Sequence, residues 1–150
     1  MQNKFLPTFV NLFHTTMPTV SSKYLGSLRT ECTHLQSGTT LITDAPTDNQ
    51  GKGEYFSPTD LVATALGSCM VTIMGISARQ HGFDLAGLTW DVTKIMADNP
   101  RRIGEVIVHL DFHGKVNTDQ HKRVIEHITR NCPVALSLHP ELKQTIEIRW

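Results

Sequence analysis

Three cysteines carry most of the reactive chemistry this chain offers, and each sits in a different local setting. Cys69 falls inside Leu61–Ile76 (LVATALGSCMVTIMGI), in a stretch with no charged residue between Asp60 and Arg79. Apolar surroundings raise a thiol pKa and make the sulfur inert. Cys69 therefore reads either as a small core residue or as a shielded nucleophile. Cys132 lies in Asn131-Cys132-Pro133, beside a helix start that favours a thiolate, and is expected to be the more acidic of the two. Cys32 sits on a strand near His34 and is expected to be a bystander. Cys69 and Cys132 can work as a pair only if the fold brings them together, which no local pattern decides.

Other chemistries are poorly provided for. The eight histidines form no HExxH pair, and there is no CxxC. His121 and His127 are six residues apart on a helix and so on different faces. His109 and His113 belong to a strand and a turn, and Cys32 with His34 makes two ligands where zinc wants three or four. No metal and no cofactor is expected. Gly51-Lys52-Gly53 lacks the spacing of a phosphate-binding loop. Asp60 reads as an acid offsetting a helix dipole. On an unbroken helix it is about 180° around the axis and roughly 13 Å along it from Cys69, too far to act as its base. Lys+Arg and Asp+Glu balance at 14 each, so no nucleic-acid or membrane-surface partner is expected.

The elements that must position these residues follow from pattern. Ser57-Pro58-Thr59-Asp60 is a helix start, with Ser57 as N-cap, Pro58 at the first position and an acid at the third. The helix runs to about Gln80 and stops at Gly82. Apolar all round, it is expected to be buried on most sides, with Leu61, Ala65, Cys69 and Ile73 on one stripe. Its apolar run is too short and glycine-interrupted for a membrane span, which needs roughly 20 residues. Lys23–Leu35 is predicted as a first strand, turning at Gln36-Ser37-Gly38 into a second over Thr39–Thr43. Asp44–Gly53 is a loop long enough to be a functional lip. Leu88–Val92 and Glu105–Phe112 form a second hairpin, with Val106, Val108, Leu110 and Phe112 inward. Asn117 caps the next helix, and Asn131-Cys132-Pro133 breaks it. A short helix over Val134–Leu138 and a strand through Ile146, Ile148 and Trp150 complete the order ββ–α–ββ–α–α–β. The class is α+β, with two antiparallel hairpins and a C-terminal strand packed around a central hydrophobic helix.

Residues 21–150 form one domain, preceded by an N-terminal extension over 1–20. Within it, residues 1–16 read as an appendage ahead of a second start-like Met17-Pro18. The stretch Asn3–Phe13 faintly resembles a signal peptide, but Pro7 and Asn11 interrupt it and no cleavage site follows. An odd number of widely spaced cysteines argues against a secreted disulfide framework and for reduced thiols in the cytoplasm.

Phe56-Ser57-Pro58-Thr59-Asp60-Leu61, leading into Ala65-Leu66-Gly67-Ser68-Cys69, with Asn131-Cys132-Pro133-Val134 after an amphipathic helix, resembles the OsmC/Ohr family. The family takes its name from osmotically inducible protein C and organic hydroperoxide resistance protein. The similarity covers about residues 21–150. It implies an intertwined homodimer with sites at the subunit interface, and thiol-dependent reduction of organic hydroperoxides. By motif, Cys69 is similar to the peroxidatic cysteine and Cys132 to the resolving one, with an external dithiol to reset the site. In the peroxidase branches an arginine and a glutamate assist the reactive cysteine. The glutamate follows the proline of the pre-helix motif, where this chain has Thr59. Arg29, reaching from the partner subunit, and Glu54 are the available candidates for the two roles. These departures imply a divergent branch. Two other readings stay open: a non-catalytic protein binding a small hydrophobic ligand at the dimer interface, and a redox sensor.

Overall fold

A computed structural model describes residues 17–150. Most of the predicted N-terminal extension, residues 1–16, lies outside the described residues. The chain divides into two compact units, one ending at Thr43 and the other running from Asp44 to Trp150.

The first unit is a three-stranded sheet in the order β1 (Val20–Gly26), β2 (Arg29–His34), β3 (Thr40–Asp44). The strand predicted over Lys23–Leu35 is therefore two strands. Gly26, Ser27 and Leu28 take φ values of 86°, 51° and 64°, which fold the chain back on itself. Antiparallel pairing then runs from Val20 opposite His34 to Gly26 opposite Arg29. Ser27 and Leu28 are unusual residues for left-handed backbone, so Gly26 is the turn's one conventional signal. The Leu28 N–H donates to the Tyr24 hydroxyl at 3.0 Å and ties the turn to its strand.

The second unit opens with a 3₁₀ turn at Thr47–Asn49 and then α1, Pro58–His81. The predicted cap is present in full. Ser57 Oγ accepts from the Asp60 N–H at 3.1 Å, and Asp60 Oδ2 accepts from the Ser57 N–H at 2.7 Å. Gly82, at φ 74°, closes the other end in left-handed geometry. Strands β4 (Thr89–Ala97) and β5 (Arg102–Asp111) make the predicted antiparallel hairpin. Helices α2 (Asp119–Thr129) and α3 (Pro133–Ser137) carry the chain to β6 (Lys143–Arg149), which pairs with β5 in parallel. The cap of α2 is Thr118 rather than Asn117, because it is the Thr118 side chain that accepts from the His121 N–H.

Val106, Val108, Leu110 and Phe112 are all buried, as their alternation predicts. Against them lies one stripe of α1: Ala63, Leu66, Gly67, Met70, Met74 and Ala78. A Cβ on Gly67 would stand 2.9 Å from Val92 Cγ2 and 3.1 Å from Trp90, so the helix presses onto β4 at this position. Of two expectations about α1, one holds on other grounds and one fails. Between its caps it has 24 residues, so length alone does not exclude a membrane span. The buried stripe and the polar clamp at its start mark it instead as the core helix of its unit. Nor is it buried on most sides, since Val62 is 37% and Ile76 50% exposed on its outer face.

Candidate functional site

Cys69 lies midway along α1, half-buried and packed against the core cluster that holds Cys132. Its neighbours in the helix set that position. Met70 faces the sheet and is fully buried, whereas Ala65 and Thr72 lie on the outward face. The cysteine thus occupies the margin between core and surface.

Cys132 is delivered from the other direction. After α2 ends, the Asn131 N–H donates to the Ile128 carbonyl at 3.0 Å. Cys132 then leaves helical geometry at φ −73°, ψ 148° and becomes the N-cap of α3, with Pro133 in the first turn. Proline cannot donate a backbone hydrogen bond, so a helix start suits it. The Cys132 sulfur accepts from the Ala135 N–H at 3.4 Å. No part of Cys132 reaches solvent.

The structure brings these two cysteines together. Burial pushes the Cys132 thiol up from its ordinary pKa, against a downward pull from the Ala135 and Val134 N–H groups. Its hydrogen-bonding and electrostatic interaction with Cys69 raises it further. The expectation that Cys132 is the acidic thiol is therefore overturned. The helix start is present, but desolvation of a fully buried sulfur outweighs it. Of the two, Cys69 is the one with access to solvent, and Cys132 holds its proton beside it. Both are free thiols.

The other candidates belong to other elements. Arg29 is on β2 in the first unit, half-buried and opposite Gly26. Cys32 is on the same strand, its sulfur 3.9 Å from Thr30 Oγ1, which in turn meets Thr43 Oγ1 at 2.6 Å. Glu54 belongs to the second unit, where its N–H donates to Asp44 Oδ2 at 3.2 Å. It lines a cleft of about 740 Å³ between Tyr55-Phe56, the start of α1 and β4, a lining that includes neither Cys69 nor Cys132. Among the described residues, no group of three or more histidine, cysteine or acidic side chains is placed to hold a metal ion.

That cleft contains a residue the sequence reading missed. Lys94 Nζ donates to Asp60 Oδ1 and Thr59 Oγ1 at 2.7 Å each, and to Ser57 Oγ at 3.3 Å. Asp60 feels burial pushing its pKa up, but the hydrogen bonds from Lys94 and Ser57 outweigh this and leave it below the usual carboxylate value. The signal was available. Lys94 shares its strand parity with the inward-leaning Val92 and Met96, so a lysine there must either meet an acid or remain desolvated alone.

A family model described as OsmC-like protein matches residues 51–147. A Psychrobacter arcticus protein, named for an osmotic stress induced and detoxification response, is 49% identical, with a TM-score of 0.87 over 91% of this chain and 99% of its own. An organic hydroperoxide resistance protein OsmC from Legionella pneumophila shares 14% identity at a TM-score of 0.71, over 89% of this chain and 98% of its own. An organic hydroperoxide resistance protein from Elizabethkingia anophelis shares 12% identity at a TM-score of 0.66, over 90% of this chain and 98% of its own. At such identities the last two show a common fold. A search of curated protein sequences finds no match.

Proposed function

The chain belongs to the OsmC-like protein family, and from that premise we propose that it is a thiol-dependent peroxidase acting on organic hydroperoxides. The observation that carries this reading is the pairing of a solvent-reachable Cys69 with a buried Cys132 that interacts with it. In the proposed cycle the Cys69 thiolate attacks the O–O bond and becomes a sulfenic acid, releasing an alcohol. Cys132 condenses with the sulfenic acid, giving a disulfide and water, and an external dithiol restores both thiols. Val62, Ala65 and Ile76 on the outer face of α1 suit an alkyl hydroperoxide's apolar part, with Ser68 and Thr72 as the exposed polar groups beside Cys69. Two of the fold neighbours are named for organic hydroperoxide resistance, which agrees with this substrate class.

The same reading includes a cytoplasmic homodimer. Val62 and Ile76 are exposed on the outer face of α1, and Val20, Tyr24, Leu25 and Leu41 on the first unit's small sheet, with Leu28 in its turn. Exposed large apolar side chains of this kind suit an interaction site. Arg29 and Glu54 are then candidates to act on Cys69 across the subunit interface.

The test is direct. Reduced protein is mixed with cumene hydroperoxide, and free thiols and a Cys69–Cys132 disulfide are followed by mass spectrometry. One such disulfide per chain is expected, with Cys32→Ser behaving as wild type. Oxidation no greater than in a Cys69→Ser control would overturn the peroxidase and favour a ligand-binding role.

A further inference from the structure

The resolving role asks for a thiolate at Cys132, yet the surroundings of Cys132 keep it a thiol. The groups that act on it are the N–H groups of Ala135 and Val134 and the Cys69 thiol, together with its own burial. Among the described residues, these groups include no side-chain base other than Cys69. We propose that Cys132 is the general acid of the oxygen-transfer step, giving its proton to the alkoxide that leaves as Cys69 takes up oxygen. The inference rests on the peroxidase reading and assigns Cys132 a role before it acts as a nucleophile.

The steps balance. The Cys69 thiolate displaces alkoxide from the hydroperoxide, an S–O bond forming as the O–O bond breaks, and sulfur is oxidised to the sulfenic acid. The alkoxide, a strong base created next to Cys132, takes the S–H proton and departs as alcohol. Cys132 is now a thiolate, with the Ala135 N–H donating into its sulfur at 3.4 Å. It attacks the Cys69 sulfur, an S–S bond forms as the S–O bond breaks, and hydroxide leaves. Overall two thiols and one hydroperoxide give one disulfide, one alcohol and one water. The geometry explains how a sulfur with no solvent contact is deprotonated at the moment it is needed. The reaction supplies its own base, and burial ensures that water does not compete for the proton.

A leaving group that needs no proton separates this from a structural role. Single-turnover oxidation of Cys69 is measured for wild type and Cys132→Ala with cumene hydroperoxide, which expels an alkoxide, and with a peroxycarboxylic acid, which expels a weakly basic carboxylate. Loss of a general acid should slow the alkyl hydroperoxide reaction of the variant about 10²-fold while leaving the peracid reaction within about threefold of wild type. Cys132→Ser keeps an N-cap oxygen for α3. It should show the same dependence on oxidant with a smaller loss, and it serves where the alanine variant folds poorly. Equal slowing with both oxidants, or slowing with neither, would overturn the general-acid role while the peroxidase stands. A wild-type Cys69 that the alkyl hydroperoxide does not oxidise would remove both.

Discussion

At the residue scale, the two sulfurs differ in access far more than in chemistry. Cys69 is half-buried and Cys132 has no exposed surface. In thiol–disulfide exchange the sulfur that is reached is the one attacked. A reducing thiol should therefore open the Cys69–Cys132 disulfide by attacking Cys69 and expelling Cys132. With Cys132→Ser, hydroperoxide followed by a small thiol such as glutathione should leave a mixed disulfide at Cys69 alone, as read by peptide mapping. Adduct on Cys32 in comparable yield would refute Cys69 as the one sulfur that is oxidised and then reached by the thiol. The cysteine pair also shows where local sequence reasoning stops. Apolar flanks of Cys69 and the helix start at Cys132 were both legible and both real, yet the helix start did not make Cys132 the acidic thiol it predicted. Desolvation depends on what the rest of the fold places over a residue, and Cys132 is covered by segments distant in sequence.

At the scale of elements, α1 depends on its first turn and on one glycine. Its start is held by Ser57, Thr59 and Asp60 with Lys94 above them. Because Asp60 titrates below its unfolded value of about 4, its contribution to stability is complete above that pH and is lost as pH falls through the folded value. Asp60 is partly exposed, so solvent screens the pair and the effect is modest. Unfolding in urea from pH 6 down to pH 3 should show a shallower acid limb for Asp60→Asn than for wild type; equal slopes would show that the pair adds nothing. At Gly67 two effects compete. Alanine gains about 1 kcal/mol of helix propensity, while overpacking against Val92 and Trp90 costs about 1–3 kcal/mol. A Cβ 2.9 Å from Val92 and 3.1 Å from the Trp90 ring forces both to shift, so Gly67→Ala should be net destabilising by about 1 kcal/mol, with a shift in tryptophan fluorescence. A stabilised variant would show that β4 yields. The cap of α1 and the inward face of β5 could be read directly because each rests on contacts within a few residues or on strict alternation. The β1–β2 turn was harder, since Gly26 alone announces it and Ser27 and Leu28 adopt left-handed backbone that their residue types do not favour.

For the whole molecule, the sequence and the single chain disagree about α1 in an informative way. An uncharged run from Leu61 to Ala78 specifies a helix with no face for water, but one chain covers only the stripe from Ala63 to Ala78. Periodicity reports that a surface is apolar and is silent on which chain covers it. The outer face, with Val62 and Ile76, is therefore the natural seat of a second copy, as proposed above. That arrangement would place Cys69, at the margin of the face, close to the subunit boundary, where the partner could exclude water from the thiol. Sedimentation of the wild-type protein should give a dimer at micromolar concentration. Ile76→Asp buries a charge without a counter-ion in the proposed interface, and should weaken dimerisation at least about a hundredfold, the equivalent of roughly 3 kcal/mol. If substrate is held between subunits, peroxidase turnover should fall with the dimer fraction as the variant is diluted. A fully monomeric wild type, or a variant that dimerises as tightly as wild type, would mean that this face is covered by something other than a second copy.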